Sequence, residues 1–439
     1  MPYFVLSFTA FLINIPLGYL RENCPKFSFK WFLWIHASIP LLIYLRLSID
    51  ASAAFIPFTI FCAVIGQIGG GYLRRKKMTA EDRDQLNQIG DLKDARGVVV
   101  DERDVTVALL NMGGPNKVSD IFEFQRRLFE DPLLIRFPLS SILQKFFAKM
   151  LIKARIKTVI ERYEQIGGGS PIYQSTTAQA QALREELHKR GRNIDVTFSF
   201  NYSRPYPADT ITKVKRAGKK YLLPVSLYPH YSKATTYSNI HYLKKEAQAN
   251  YARLQFLKPP SYYLHPGYIQ AFADRIHEAI GPFESLDDFY LVFSAHGLPL
   301  YFLTEGDPYP FEINQTVAQI LAKLNRTHNW VLAYQSNVGP LQWLKPSMDD
   351  MIPVLARKGK KKILVVPVSF VGDHIETIHE INIEYRELAQ ELGITDWRMS
   401  KAIECHPGFI QALADSVENV LTQPQLFSQP IEETQSVHR

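Results

Sequence analysis

The sequence predicts an α/β protein of two similar doubly wound, Rossmann-like halves facing a central cleft, preceded by an all-α transmembrane segment. Three observations carry this. From residue 105 onward, short apolar β-rich runs alternate with longer amphipathic stretches, the pattern of parallel βαβ units. The segment His265-Pro-Gly-Tyr-Ile-Gln-Ala-Phe-Ala-Asp274 returns 141 residues later as His406-Pro-Gly-Phe-Ile-Gln-Ala-Leu-Ala-Asp415. The first 73 residues carry only six charged side chains, against 87 in the other 366.

In the front segment, residues 1–20 and 51–73 contain no charge. Each can cross ~30 Å of hydrocarbon as a helix of about 20 residues. Between them, 31–44 is apolar but for His36, and Lys30 and Arg46 can snorkel from its ends. The spans read as 2–20, 31–47 and 51–73, within a segment 1–73. Three spans fit the charges better than two. Arg21, Lys26 and Lys30 then share a side with Arg74-Arg75-Lys76-Lys77, which the positive-inside rule makes the cytoplasm. A cleaved signal peptide would need a basic start, which residues 1–10 lack. A buried hairpin with two uncharged runs of this length would be unusual. The expected location is the inner (cytoplasmic) membrane, multi-pass, with the body in the cytoplasm and the lipid bilayer as a partner. Residues 74–104 hold eight charges of each sign and read as a solvated linker.

In the body, 105–110, 196–200, 220–227, 289–293, 331–335 and 362–370 read as strands. Most are nearly all apolar, as strands buried on both faces are. Helical stretches such as 178–189 and 314–324 separate them. The repeat extends beyond its ten-residue core. Pro224-Val225-Ser226 returns as Pro367-Val368-Ser369, and LLNMGGP (109–115) is echoed by FSAHGLP (293–299). Two halves follow, 105–283 and 287–421, with a tail at 422–439. Doubly wound sheets bind ligands beyond the carboxyl ends of their strands. That directs attention to 111–115, 201–204, 228–232, 296–298, 336–339 and 372–376.

Composition excludes other classes. A chain with 46% hydrophobic and 21% charged residues is not disordered. Three cysteines, Cys24, Cys62 and Cys405, neither build a disulfide scaffold nor supply four thiolates to an iron–sulfur cluster. A net charge of +7, with no basic run interleaved with aromatics in the body, does not mark a nucleic-acid binder.

His296 follows a strand within Ser-Ala-His-Gly-Leu-Pro, where an exposed imidazole can act as base or metal ligand. Its plain reading is a loop histidine satisfied by a neighbour. Asp373-His374-Ile375-Glu376 follows the second PVS strand and begins a helix. On that helix Glu376, Glu380 and Glu384, at i, i+4 and i+8, share a face. Asp373 is also a good N-cap, and a solvated stripe is the plain reading of the glutamates. Like charges at this spacing nevertheless destabilise a helix unless a cation sits nearby. A carboxylate row beside His and Asp suits a hard or borderline divalent metal. The run IGGGSP (166–171) lacks the Gly-Lys-Ser/Thr ending of a phosphate loop and reads as a backbone turn near the cleft. Aromatics crowd the same loops, Tyr202, Tyr228 and Trp343 among them, as core and rim packing or as walls for a flat apolar ligand. His230 lies in a loop near the cleft, either a simple loop residue or a second metal contact.

These motifs converge. LLNMGGP (109–115), IGGGSPI (166–172), YPHYS (228–232), FSAHGLP (293–299), GDPYP (306–310), QSNVGPLQWLKP (335–346) and DHIET (373–377) stand in this order over about 105–421. Together they resemble the ferrochelatase family. The resemblance implies a chelatase-type fold. It also implies insertion of Fe2+ into a porphyrin, protoporphyrin IX or coproporphyrin III, forming haem and releasing two protons. Fe2+ is then a substrate, no cofactor is permanently bound, and no [2Fe–2S] cluster is expected. The implied catalytic residues are His296 and Glu376, with His374, Asp373, Glu380 and Glu384 joining them as metal contacts. Met112 and Tyr202 fall where the family lines its porphyrin pocket, and Tyr228, His230 and Trp343 complete the expected substrate-binding set. Asn201 stands where many members carry Arg, and Asn382 where an acid is frequent. Two other readings are a cobalt- or nickel-inserting chelatase for a related tetrapyrrole and a membrane-tethered, non-catalytic haem or porphyrin carrier. GDPYP and QSNVGP argue against the first, and the presence of both His296 and Glu376 against the second.

Overall fold

A computed structural model of the chain describes residues 2–22, 29–48, 56–70, 100–135, 141–337, 339 and 341–427. They fall into two units, Met1–Arg96 with Phe137–Gln144, and Gly97–Arg136 with Lys145–Arg439.

The first unit holds helices α1 (Pro2–Glu22), α2 (Phe29–His36), α3 (Ile39–Ser48) and α4 (56–70). They meet through a small polar cluster. Ser38 Oγ and Gln67 Nε2 each donate to Asn14 Oδ1 at 3.1 Å, and Gln67 Nε2 also donates to the Trp34 carbonyl at 2.9 Å. The three expected membrane spans are not found. Among the described residues no helix is long and apolar enough to cross a membrane. The stretch read as one span at 31–47 is broken by a turn at residues 37–38. It yields helices of 8 and 10 residues, which at 1.5 Å per residue reach only about half of ~30 Å. α4, over 56–70, is likewise short, and α1 carries Asn14 and Pro16 within its apolar run. The multi-pass inner-membrane location drawn from those spans is therefore corrected. Residues 51–55 and 71–73 of the third expected span, the linker over 74–99 and the tail from 428 lie outside the described residues.

The second unit alternates strands and helices. Its first half runs β1 (Val105–Asn111), α5 (Ile121–Glu130), α6 (Ser141–Gln165), α7 (Ile172–Lys189), β2 (Asp195–Phe200), α8 (Pro207–Arg216), β3 (Tyr221–Ser226), α9 (Ser238–Asn250), β4 (Gln255–Phe256) and α10 (Pro266–Ile280). The second half runs β5 (Tyr290–His296), α11 (Leu300–Thr304), α12 (Tyr309–Lys323), β6 (Trp330–Gln335), α13 (Met348–Arg357), β7 (Lys362–Pro367), a π-helix (Glu376–Glu384), α14 (Tyr385–Glu391), β8 (Asp396–Met399) and α15 (Pro407–Thr422). The strands form two all-parallel sheets of the same order, β2-β1-β3-β4 and β6-β5-β7-β8. The duplication read in the motifs is thus a duplication of the whole sheet. It even includes a π-helical turn after each PVS strand, at Lys233–Tyr237 and at Glu376–Glu384. The sequence pattern misses β4 and β8, edge strands of two and four residues, too short to show a period.

One buried apolar cluster joins the halves. It holds Val107, Leu109, Leu223 and Val225 of the first sheet and Leu291, Phe293, Leu364 and Val366 of the second. The repeated segment accounts for how the halves interlock. Gly267 and Gly408 pack so closely that a Cβ on either would lie 2.4 or 2.6 Å from the other's carbonyl oxygen. His265 Nδ1 accepts the Gly267 N–H at 3.1 Å, leaving its Nε2–H to donate to Asp415 at 3.0 Å. Its counterpart His406 Nδ1 accepts the Gly408 N–H at 3.2 Å and reaches Asp274 through Nε2 at 3.2 Å. Each histidine caps its own helix and holds the aspartate that ends the other copy.

In each sheet the chain order reverses direction between the two central strands, β1/β3 and β5/β7, so the crevice lies beyond their carboxyl ends. Those ends carry the loops 112–115, 227–232, 297–299 and 368–375.

Candidate active site

His296 is the last residue of β5, and three contacts hold it. Its backbone N–H donates to Ser369 Oγ at 3.0 Å, and its carbonyl accepts from the Tyr309 hydroxyl at 2.9 Å. Its Nδ1 lies 2.6 Å from the Gly297 carbonyl. A carbonyl only accepts, so Nδ1 carries a proton and Nε2 is the nitrogen turned toward Glu376. Nε2 lies 3.5 Å from Glu376 Oε1, with the two side chains 37% and 28% exposed, so the pair is open to the cleft. Gly297 is required by close approach: a Cβ there would lie 2.6 Å from Asn337 Oδ1 and 3.2 Å from the Trp343 ring.

Desolvation pulls the His296 pKa down, but the Glu376 carboxylate and the Gly297 carbonyl reverse this and lift it to about 9. Burial would raise Glu376, but the charges of His296 and His374 hold it at about 2. The two shifts are one interaction seen from its two ends. A raised imidazole pKa adds stability that is complete below 6.5 and lost as pH rises through about 9. A depressed carboxylate pKa adds stability present above 4.5 and lost as pH falls through about 2. The pair should therefore stabilise most between pH 4.5 and 6.5. The difference in Tm between wild type and Glu376→Gln, followed from about pH 5 to 10, is expected to shrink on the alkaline side. A difference independent of pH would mean that the two groups do not pair.

The other acidic candidates are placed differently from one another. The helix read at 373–384 is a π-helix that starts at Glu376. Asp373 is not its N-cap. Asp373 Oδ1 instead accepts from Thr377 Oγ1 at 2.9 Å, and His374 Nδ1 accepts the Glu376 N–H at 3.1 Å. The His374 ring stacks edge-on against Phe370, with ring centres 4.4 Å apart. Glu380 is enclosed by donors: Ser336 N at 2.8 Å, Ser336 Oγ at 2.5 Å, Gln335 Nε2 at 3.2 Å and the Tyr385 hydroxyl at 3.1 Å. Burial and the nearby Glu376 raise its pKa. Glu384 is paired with Arg162 at 2.5 Å and lies 3.7 Å from His379 Nδ1. Among the described residues no group of three or more His, Cys, Asp or Glu side chains is arranged to hold a metal ion. The six-residue set expected from the sequence is thus a row in the chain, of which His296 and Glu376 form a direct pair.

The expected substrate-binding residues come from both halves, Met112, Tyr202, Tyr228 and His230 from the first and Trp343 from the second. Tyr228 Oη accepts the Met112 N–H at 3.2 Å, and burial followed by the Glu376 charge raises the Tyr228 pKa. Trp343 is half-buried against Gly297. Tyr202 is buried, its hydroxyl donating to Asp131 at 2.6 Å. Asn201 Nδ2 donates to Ser238 Oγ at 3.1 Å, and Arg204 is taken up by Asp209 at 2.9 Å. His230 is interior. Its Nε2–H donates to Thr316 Oγ1 at 2.9 Å, since that hydroxyl's own proton goes to the Tyr263 carbonyl. Burial lowers its pKa to about 3, which leaves it neutral. Sequence reasoning missed Arg162, Tyr163 and Gln165 at the end of α6. The Tyr163 hydroxyl is buried within reach of the Glu376 charge, and Gln165 Oε1 meets His379 Nε2 at 2.6 Å. They directly precede the glycine run, which was the available signal.

Two like doubly wound halves thus carry an imidazole–carboxylate pair beyond the strand ends of the second, and the comparisons say what class of protein this is. A sequence profile named Ferrochelatase matches residues 104–421. The chain is 42% identical over 323 residues to a ferrochelatase of Nostoc sp. (strain PCC 7120 / SAG 25.82 / UTEX 2576), covering 73% of this chain and 83% of that one. It is 41% identical over 322 residues to a ferrochelatase of Gloeothece citriformis (strain PCC 7424), with the same coverage. Among solved structures, SirB from Bacillus subtilis with Fe3+ overlaps 55% of this chain and 88% of its own at 16% identity, with a TM-score of 0.40. A likeness of that size adds nothing to the assignment. The chain belongs to the ferrochelatase family. It is a lyase that inserts Fe2+ into a porphyrin and releases two protons.

Proposed function

We propose that His296 is the base that takes the pyrrole protons and that Glu376 is the carboxylate on which Fe2+ arrives. The observation that carries this reading is the 3.5 Å approach of His296 Nε2 to Glu376 Oε1, with both side chains open to the cleft. A free-base porphyrin must lose two N–H protons, so a base has to lie over the ring. At neutral pH the imidazole is charged, held so by its carboxylate partner. A divalent ion on Glu376 competes for that carboxylate. His296 then releases its proton to solvent and becomes the base. Oxygen and imidazole ligands hold Fe2+ without the grip of thiolates, which suits a site that must give the ion away. Asp373 and His374, three and two residues before Glu376, join it in this reading as metal contacts, with Glu380 and Glu384 next in the acidic row. Tyr228, Met112 and Trp343 supply walls for the flat ring, and binding energy spent on them can bend it toward the geometry that exposes its nitrogens.

Anaerobic absorbance spectra with Fe2+, run separately with protoporphyrin IX and coproporphyrin III, test the reading and name the substrate. Loss of the free-base bands with one porphyrin is the expected result. Turnover with Co2+ or Ni2+ but not with Fe2+ would overturn it.

A further inference from the structure

The internal repeat breaks beside the active site. The segment Tyr262-Tyr263-Leu264 before the first His-Pro-Gly becomes Ile403-Glu404-Cys405 before the second. Glu404 makes contacts that Tyr263, its counterpart in the first copy, does not. Its Oε1 accepts the Asp373 N–H at 2.9 Å and the Ser175 hydroxyl at 3.1 Å. Its own N–H donates to the Val371 carbonyl at 2.9 Å. Gln179 Nε2 completes the contact, donating to the carbonyls of Val371 at 3.1 Å and Glu404 at 3.3 Å. Ser175 and Gln179 belong to α7 of the first half, whereas Val371 and Asp373 belong to the loop that leads from β7 to Glu376. The Glu404 backbone sits at φ +44°, a left-handed conformation that side chains other than Asn, Asp and Gly rarely adopt. Strained backbone of this kind persists where the surroundings impose it, and it gathers at functional sites.

We infer that Glu404 is a positioning residue for metal insertion: its carboxylate fixes the Asp373–His374 loop against α7 of the other half and so sets where Glu376 meets His296. The chain of contacts is short. Glu404 orients the Asp373 N–H, and the next residue, His374, accepts the Glu376 N–H through Nδ1 at 3.1 Å. Tyr263, at the equivalent point of the first copy, has no carboxylate to offer; its hydroxyl donates to Gln315. The inference rests on the reading of His296 and Glu376 given above.

Glu404→Asn separates a positioning role from a structural one. Asparagine tolerates φ +44° better than glutamate but is too short to reach the Asp373 N–H. The full chain carrying this variant should still fold and melt cooperatively, with KM for Fe2+ raised about tenfold. KM for porphyrin should stay within about twofold. Glu404→Gln keeps the acceptor oxygen and should restore the Fe2+ KM. Ser175→Ala, which removes one donor and keeps the other, should raise it about threefold. A wild-type Fe2+ KM in Glu404→Asn, a Gln variant as defective as the Asn one, or a lower Tm with both KM values unchanged would each overturn the inference. Glu376→Gln measured alongside distinguishes the two failures. If it is fully active, the site reading falls and this inference with it. If it is inactive while Glu404→Asn behaves as wild type, the inference alone falls.

Discussion

His296→Ala is expected to lower Fe2+ insertion by about 10³-fold while porphyrin still binds. The loss follows from geometry. Nδ1–H is bound to the Gly297 carbonyl, which leaves Nε2 as the nitrogen facing Glu376 and the cleft. Ser369 and Tyr309 hold the backbone of this residue and not its ring, so alanine leaves the strand end in place. The walls proposed for the porphyrin, Tyr228 and Trp343, are untouched. Fluorescence quenching on porphyrin titration should therefore give a Kd near the wild-type value, while kcat collapses. An active His296→Ala enzyme would remove the imidazole from the mechanism. An inactive variant that no longer binds porphyrin would make His296 part of the pocket instead of the base.

Glu376→Gln should cost about 10²-fold or more, and Glu384→Gln less than about fivefold. Spacing alone makes the two residues look alike, since both lie on one face at i and i+8. Their partners separate them. Glu376 pairs directly with the His296 imidazole at 3.5 Å. Glu384 is joined to the Arg162 guanidinium from α6, with both side chains about one-third exposed. Neutralising an exposed pair of that kind has a small effect. Steady-state rates of the two variants at saturating porphyrin and varied Fe2+ check this directly. Equal losses would mean that the acidic row works as one unit and that the Arg162 contact opens during turnover.

Much of this was readable from the chain. Nearly all-apolar strands reveal a parallel sheet because both faces are covered, and the PVS and His-Pro-Gly repeats reveal two copies because each sits at the same step of the same unit. The motif after β5 pointed to His296 because a strand end facing a crevice is where ligands are met. What failed did so for identifiable reasons. Runs without charge suggested membrane spans, but charge alone cannot tell one long helix from two short ones, and the turn at residues 37–38 divides the second run. Periodicity at i, i+4 and i+8 cannot tell an α-helix from a π-helix, and it says nothing about which carboxylates are already taken. Nor does the sequence show the partners of Tyr202 and His230, which are Asp131 and Thr316.

The sequence by itself determined the class of chemistry, the order of the βαβ units and the residue types at each strand end. These depend on neighbours in the chain: periodic burial, turn residues and motif spacing act over a few positions. Only the tertiary structure decided which partner each carboxylate meets. Arg162 neutralises Glu384 from 222 residues away, Glu404 holds Asp373 and Ser175 together across the two halves, and His265 meets Asp415 across the repeat. A charge-assisted contact is short-ranged in space but carries no signature in sequence separation. The same side chain is a candidate ligand or a satisfied ion pair according to what the folded chain brings within about 3 Å of it.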